Sequence, residues 1–150
     1  MSSSAACVDA SFVARLFLGP DDEVFWKVLE NWQEGGGSLH APSLLCFELA
    51  NVFHRCRRAG YLSQATSELV LDAALNLPIR IDTDTSLHLA ALRTAAAYES
   101  AATYDAHYLA LAARLGAELW TADAKLAQNA AARGVAARLV GRAPAEAGPC

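Results

Sequence analysis

The sequence has little basic charge and no long hydrophobic segment. Its 12 lysine and arginine residues are outnumbered by 16 aspartate and glutamate residues, which gives a formal net charge of −4. This balance excludes a broad cationic surface for nucleic acid but leaves room for a local basic patch. No apolar run approaches the roughly 18 residues of a membrane span, so we expect no membrane partner. The N-terminal residues lack a basic segment followed by an apolar one, so we expect a cytoplasmic protein without a secretory signal.

Cysteine is scarce, and the usual catalytic signatures are missing. The four cysteines are scattered and match neither a disulfide framework nor a zinc finger, which favours reduced thiols and buried small residues. No GxSxG motif or Cys–His signature occurs, and the GGGS segment at 35–38 lacks the lysine of a phosphate-binding loop. These absences argue against a serine or cysteine nucleophile and against a nucleotide-binding loop.

Apolar residues are abundant. Hydrophobic residues make up 54% and charged residues 19% of the 150 positions, a composition typical of a folded domain. At roughly 100–200 residues per domain, the length indicates one domain over residues 1–150. We expect its core at about residues 5–141 and a flexible tail at 142–150, where the sequence is RAPAEAGPC.

Short apolar segments alternate with helical ones along the chain. The predicted strands are residues 5–8, 39–41, 78–81, 118–121 and 137–140. The predicted helices are residues 11–18, 21–33, 42–58, 63 to about 78, 85–98, 103–115 and 124–133. Strands that alternate with helices indicate an α/β fold with a parallel sheet covered on both faces.

Four carboxylates occupy unusual positions. Asp9 follows the first predicted strand, and Asp123 follows the fourth. Asp105 opens a helix, and Glu48 lies inside the apolar helix sequence SLLCFELANVF. Helix capping or the helix dipole explains each aspartate taken alone. Glu48 is harder to explain in this way, because a carboxylate buried without partners is costly.

Taken together, these carboxylates predict a metal site. In a doubly wound sheet, the ends of the central strands and the neighbouring helix starts meet in one crevice. Carboxylates that converge there raise each other's pKa values, and a hard divalent cation relieves the repulsion. Oxygen ligands suit Mg²⁺ or Mn²⁺, and such a site can activate water and stabilise a phosphodiester transition state.

Several segments resemble those of a known family. VDAS, APSLLCFELANVF, TYDAHYLALAARLGAELWTAD and AKLA resemble the PIN-domain ribonucleases, most closely the VapC-type toxins of bacterial toxin–antitoxin pairs. The resemblance extends from Cys7 to about Val140 and keeps the order and spacing of the family. It implies an α/β/α sandwich with a parallel sheet of about five strands. It also implies that a quartet of acids binds Mg²⁺ or Mn²⁺ for endonucleolytic RNA cleavage: Asp9, Glu48, Asp105 and Asp123.

The same resemblance implies further properties. RNA would be cut by metal-activated water, leaving 5′-phosphate and 3′-hydroxyl ends. The protein would form a homodimer and be inhibited by a cognate VapB-type antitoxin. Ser11 and Thr121 fall where the family often has a hydroxyl beside the site, although helix capping or strand-end hydrogen bonding explains them equally well.

Other residues near the acids have less specific sequence contexts. Arg55, Arg57 and Arg58 are candidates for RNA contact, but basic residues also favour a helix C-terminus. Tyr104 and His107 flank Asp105, and we expect them to pack rather than to contact substrate.

Two other functions compete with the nuclease. The chain could be a catalytically inactive PIN-fold module that only binds a partner protein. The segment DTDT at 82–85 after Ile-Arg-Ile also resembles the nucleophile motif of haloacid-dehalogenase-like phosphatases. That motif stands too late in the chain and lacks the acidic pair that should follow it, so a loop capping the next helix is the simpler interpretation.

Overall fold

A parallel sheet forms the centre of the protein, for which a computed structural model describes residues 4–141. The strands in this range are β1 (Ala5–Val8), β2 (Ser38–Pro42), β3 (Ile79–Asp82), β4 (Glu118–Thr121) and β5 (Ala137–Leu139). All four pairings between them are parallel, in the order β3-β2-β1-β4-β5. The chain therefore switches direction across the sheet between β1 and β4, where doubly wound sheets open a crevice beyond the strand ends.

Helices cover both faces of this sheet. They are α1 (Ala10–Arg15), α2 (Asp22–Glu34), α3 (Leu44–Arg58), α4 (Gln64–Leu75), α5 (Ser86–Ala97), α6 (Tyr104–Leu115) and α7 (Ala124–Ala132). Ala6 and Val8 of β1 pack with α1, α2 and α3, whereas Cys7 between them packs with α6 and α7. All three side chains are fully buried, because successive strand residues face opposite layers. The predicted α/β/α sandwich with five parallel strands is confirmed.

Three differences from the predicted boundaries involve proline. Pro42 was predicted to open a helix, but it ends β2, paired with Asp82, and α3 begins at Leu44. Helix α4 ends at Leu75 rather than near Pro78, because the position before a proline disfavours helical dihedrals. β3 starts after Pro78, whose nitrogen has no hydrogen to donate to a neighbouring strand. At the other end of the chain, β5 is one residue shorter than predicted, Ala137–Leu139.

The cysteines are only partly as expected. Cys7 and Cys46 are free, whereas Cys56 is disulfide-bonded, so the expectation of reduced thiols is wrong at that position. Spacing along a sequence reveals local cysteine motifs, but a disulfide depends on which side chains the fold brings within reach.

Two remaining expectations concern membranes and the tail. None of the helices in residues 4–141 has the length and apolarity that crossing a membrane requires. The flexible tail predicted at 142–150 lies outside the described residues.

Candidate active site at the carboxyl edge of the sheet

A cavity of about 550 Å³ opens at the carboxyl edge of the sheet, beside the switch between β1 and β4. Its lining includes all four acids singled out in the sequence: Asp9, Glu48, Asp105 and Asp123. Asp9 follows β1 and Asp123 lies just beyond β4, whereas the other two belong to α3 and α6. Residues that are far apart in the sequence thus share one crevice, as a doubly wound topology requires.

Asp9 is the most deeply buried of these carboxylates, with 4% of the residue exposed. As the N-cap of α1, it accepts a hydrogen bond on Oδ1 from the backbone N–H of Phe12 at 2.9 Å. The hydroxyl of Ser11 donates to Oδ1 at 2.8 Å, and that of Thr121 donates to Oδ2 at 2.6 Å. The capping explanation is therefore correct for Asp9, and it is compatible with a place in the cavity.

Ser11 and Thr121 also link the ends of two strands. Ser11 Oγ accepts from the backbone N–H of Ala122 at 2.9 Å. Thr121 Oγ1 accepts from the backbone N–H of Asp123 at 3.0 Å, and its side chain is fully buried. Each hydroxyl contacts the Asp9 carboxylate and also satisfies a strand-end amide, so the geometry is compatible with both explanations offered for Ser11 and Thr121.

Thr121 provides a test of this network. Replacing Thr121 with Val keeps the side-chain shape, but a buried carboxylate loses a donor and an amide loses its acceptor. We expect Thr121→Val to lower the free energy of unfolding at neutral pH by about 1–3 kcal/mol. For a chain of this size, each kcal/mol lowers the melting temperature by roughly 2–4 °C. Thr121→Ser keeps the hydroxyl and is the matched control. Equal melting temperatures of the two variants in calorimetry would contradict the assigned hydrogen bonds.

The environment of Asp9 opposes its ionisation. Burial raises the pKa of the Asp9 carboxyl from 3.8 to about 6, and the nearby Glu48 carboxylate adds to the rise. The hydrogen bonds from Thr121, Phe12 and Ser11 act in the other direction, because they stabilise the charged form. The ionised carboxylate therefore lacks full compensation, and a cation in the cavity would supply it.

Glu48 is held by a residue that the sequence did not single out. The hydroxyl of Tyr108 donates to Glu48 Oε1 at 2.6 Å. Burial and the charge of Asp105 raise the pKa of Glu48, although this hydrogen bond lowers it. Burial and the Glu48 carboxylate raise the pKa of Tyr108 well above its usual value, so the phenol remains a donor. An aromatic residue in a helix usually indicates core packing; the available signal was its position three residues after Asp105, on the same helix face.

Asp105 and Asp123 are the more exposed pair. Asp123 is the N-cap of α7, where its Oδ1 accepts from the backbone N–H groups of Lys125 and Leu126. Asp105 lies in the first turn of α6, as predicted. Desolvation at the cavity wall raises the pKa of Asp105, and the Asp123 carboxylate raises it further, against the influence of Arg133 and Lys125. Repulsion between neighbouring carboxylates is therefore present in the folded protein.

The arginines of α3 divide into two groups. Arg55 lines the cavity, two turns after Glu48, whereas Arg57 and Arg58 are absent from its described lining. Successive helical residues point about 100° apart, so neighbours in the last turn cannot all face the same cavity. The structure thus brings Arg55, but not the other two, to the wall of the cavity that the four carboxylates line.

A further arginine lines the cavity without having been predicted. Arg15 is buried, forms an ion pair with Asp21, and lies with its guanidinium 5.1 Å from the centre of the Phe25 ring. Its Nε has no hydrogen-bond partner within residues 4–141. In the sequence it resembles any basic residue at the end of a helix, so nothing there distinguishes it.

Carboxylate oxygens are suitable ligands for a divalent cation, but the four acids of the cavity are spread too widely for all of them to bind one ion directly. Within the described residues, no three His, Cys, Asp or Glu side chains are close enough to hold one metal ion. Mg²⁺ commonly binds proteins through one or two carboxylates and keeps several waters. Oxygen donors around a water-accessible cavity, with a buried carboxylate in need of positive charge, therefore fit Mg²⁺ or Mn²⁺ held by an incomplete protein shell.

The DTDT segment runs from Asp82, the last residue of β3, through a short turn to the start of α5. Asp82 Oδ1 accepts from the backbone N–H of Asp84 at 2.8 Å, and Asp84 Oδ1 accepts from that of Ser86 at 2.9 Å, at the start of α5. Neither aspartate lines the cavity that contains the four acids. The simpler interpretation of this segment is therefore the one that the structure supports.

Comparison with known proteins identifies a family and a set of similar folds. The family model of the PIN domain matches residues 6–132. No curated protein matches the sequence significantly.

Solved structures share the fold at low sequence identity. PAE2754 from Pyrobaculum aerophilum is 23% identical with a TM-score of 0.67, over 91% of this chain and 92% of that one. VapBC2 from Rickettsia felis, bound to a DNA fragment from the promoter, is 12% identical with a TM-score of 0.70, over 91% and 99%. FitAcB from Neisseria gonorrhoeae is 14% identical with a TM-score of 0.57, over 88% and 95%. At these identities the likeness establishes the fold.

Proposed function

This chain belongs to the PIN domain family, and we propose that it is a metal-dependent endoribonuclease of the VapC type. The observation that carries the proposal is the single cavity into which four carboxylates from four parts of the chain converge: Asp9, Glu48, Asp105 and Asp123. A protein that only binds a partner has no need to collect this negative charge, since the mutual repulsion costs stability. A nuclease does need it, because carboxylates are the ligands that attract Mg²⁺ or Mn²⁺.

The side chains of the cavity would have three roles: metal binding, positioning of the carboxylates and contact with RNA. The four carboxylates would hold the cation, one or two of them directly and the others through its bound waters. The cation would supply an acidified water and neutralise charge on the phosphate. Ser11 and Thr121 position the buried Asp9 carboxylate, and Tyr108 positions Glu48. Arg55, an exposed residue that lines the cavity, would contact an RNA phosphate. The expected products carry 5′-phosphate and 3′-hydroxyl ends.

We also propose that the protein is the toxin of a toxin–antitoxin pair and acts in the cytoplasm. Its fold is shared with VapBC2 and FitAcB, which supports this class of partner. A cognate VapB-type antitoxin would inhibit the enzyme, and an arginine would suit the negative cavity as the inhibiting side chain. A homodimer is the assembly that we expect.

Cleavage of RNA tests the proposal. Antitoxin-free protein is incubated with a mixed RNA preparation in Mg²⁺, in Mn²⁺ or in EDTA, and the end groups of the fragments are determined. We expect fragments with 5′-phosphate ends in either metal and none in EDTA. Cleavage that persists in EDTA, or fragments with cyclic phosphate ends, would contradict a metal-dependent hydrolysis.

One observation favours an inactive PIN-fold module as the second candidate. No three acidic side chains of residues 4–141 converge closely enough to hold a metal ion. Titration with Mn²⁺ distinguishes the two functions. Absence of both Mn²⁺ binding and RNA cleavage would favour the module, whereas Mn²⁺ binding without cleavage would indicate that the mixture lacks the correct RNA.

A further inference from the structure

A second cavity of about 220 Å³ lies at the same edge of the sheet. Its lining includes Pro42 and Asp82, the last residues of β2 and β3. Two aromatic rings at this cavity are open to solvent, with Phe47 74% exposed and Tyr104 63% exposed. The expectation that Tyr104 packs against the protein is therefore wrong. Large exposed aromatic side chains beside a strand-end crevice are typical of a binding surface.

The two cavities are built on the same two helices. In α3, Phe47 immediately precedes Glu48, and in α6, Tyr104 immediately precedes Asp105. Neighbouring residues in a helix point about 100° apart. Each helix thus presents a carboxylate to the larger cavity and an aromatic ring to the smaller one. An RNA strand whose phosphate lies at the carboxylates would therefore have the two aromatic rings as neighbours.

The smaller cavity is unsuited to a phosphate. Its described lining includes Asp82 and Asp84 but no lysine or arginine. Arg114 lies 3.4 Å from Asp84, outside the lining, and Asp82 forms no ion pair within residues 4–141. The negative charge of the two aspartates repels a phosphate group. It does not repel an uncharged ligand such as a nucleobase.

Two histidines give this cavity a polar wall. His107 Nδ1 donates to the carbonyl oxygen of Thr103 at 2.6 Å, and His88 Nδ1 lies 2.9 Å from His107 Nε2. In the tautomer in which His88 Nδ1 donates to His107, His88 Nε2 is a hydrogen-bond acceptor. An amino group on the edge of a nucleobase is a matching donor.

We propose that Phe47 and Tyr104 stack an unpaired base of the RNA substrate next to the scissile phosphate. The inference rests on the proposed nuclease function and assigns Phe47 and Tyr104 as the residues that bind a base next to the cut. Unpaired bases stack readily on aromatic side chains, whereas a duplex keeps its bases stacked inside. Exposed rings at an acidic cavity beside the carboxylates meet this requirement.

Variants at the two rings test the proposal. Phe47→Leu and Tyr104→Leu keep an apolar side chain but remove the stacking surface. We expect each to weaken binding of a single-stranded RNA that contains 2-aminopurine by about 5- to 100-fold. The same variants should raise KM for cleavage, leave kcat nearly unchanged, and abolish the fluorescence quenching of the stacked 2-aminopurine. Tyr104→Phe, which keeps the ring, should retain wild-type affinity and quenching.

Tyr61→Leu is the matched control, because Tyr61 is 55% exposed and lines neither cavity. If the wild-type protein cuts RNA in metal but the ring variants keep its KM and quenching, base stacking is wrong and the nuclease assignment stands. If the wild-type protein does not cut or bind RNA at all, both proposals fail. If the variants change only the oligomeric state in light scattering, a second copy of the chain covers the rings and the stacking proposal is overturned.

Discussion

Replacing Asp105 with Asn is expected to reduce RNA cleavage by on the order of 100- to 1000-fold, the range seen when one charge-stabilising group is removed from an active site. Asn has the same shape as Asp but lacks the negative charge that attracts the cation. The residue is exposed in the first turn of α6, so the fold should tolerate the change. Repulsion from Asp123 also disappears, so the melting temperature should not fall.

Asp72→Asn is the matched control for this variant. Asp72 is an exposed acid on α4 and does not line the carboxylate cavity. It should keep wild-type cleavage, measured as the initial rate on one RNA at saturating Mg²⁺. Retention of cleavage by Asp105→Asn within a few-fold of wild type would remove Asp105 from the active site.

The stability of the metal-free protein is expected to fall as the pH rises from about 4 to about 6. Burial raises the pKa of Asp9 from 3.8 to about 6, so the folded state keeps its proton after the unfolded chain has lost it. The protonated Asp9 therefore contributes stability below the pKa of the unfolded state, and this contribution is lost as the pH rises through the pKa of the folded state. For Asp9 the loss in the free energy of unfolding is about 3 kcal/mol. The pKa values of Glu48 and Asp105 are also raised, so both contribute with the same sign.

Urea denaturation between pH 4 and pH 8 in EDTA measures this dependence. Addition of Mg²⁺ at the upper end of the range should restore stability, because a ligand that binds only the folded state adds RT ln(1 + [L]/Kd). Asp84 and His40 have lowered pKa values and shift stability in the opposite direction, but Asp84 is exposed and His40 is only partly buried, so we expect the buried Asp9 to dominate. A free energy of unfolding that rises between pH 4 and pH 6 would contradict the assigned burial of Asp9.

The acidic residues could be predicted because their positions relative to the strands and helices can be read from the sequence. Asp9 and Asp123 follow strands, and the alternation of strands and helices is sufficient to place strand ends at one edge. Glu48 could be predicted because a carboxylate in an apolar helix requires a partner. Its actual partner, Tyr108, could not be predicted, because most aromatic residues in helices pack in the hydrophobic core and give no sign of a polar contact.

The features that could not be predicted from the sequence depend on the direction in which individual side chains point. Arg55 and Arg57 have the same composition around them, and only the rotation of α3 places the first at the carboxylates. Tyr104 was expected to pack and is exposed, because burial depends on neighbouring elements rather than on the residue itself. Cys56 was expected to be reduced and is disulfide-bonded, for the same reason.

Binding of Mn²⁺ tests the central claim, that the carboxylate cavity holds a divalent cation, most directly. Isothermal titration of the wild-type protein and of Glu48→Gln, Asp105→Asn and Asp72→Asn measures the affinity without any RNA. We expect the wild-type protein and Asp72→Asn to bind Mn²⁺ equally. Glu48→Gln and Asp105→Asn should bind at least about 10-fold more weakly, since loss of even an indirect partner of a ligand costs 10- to 100-fold. Equal affinity in all four proteins, or no binding in any, would contradict the metal site.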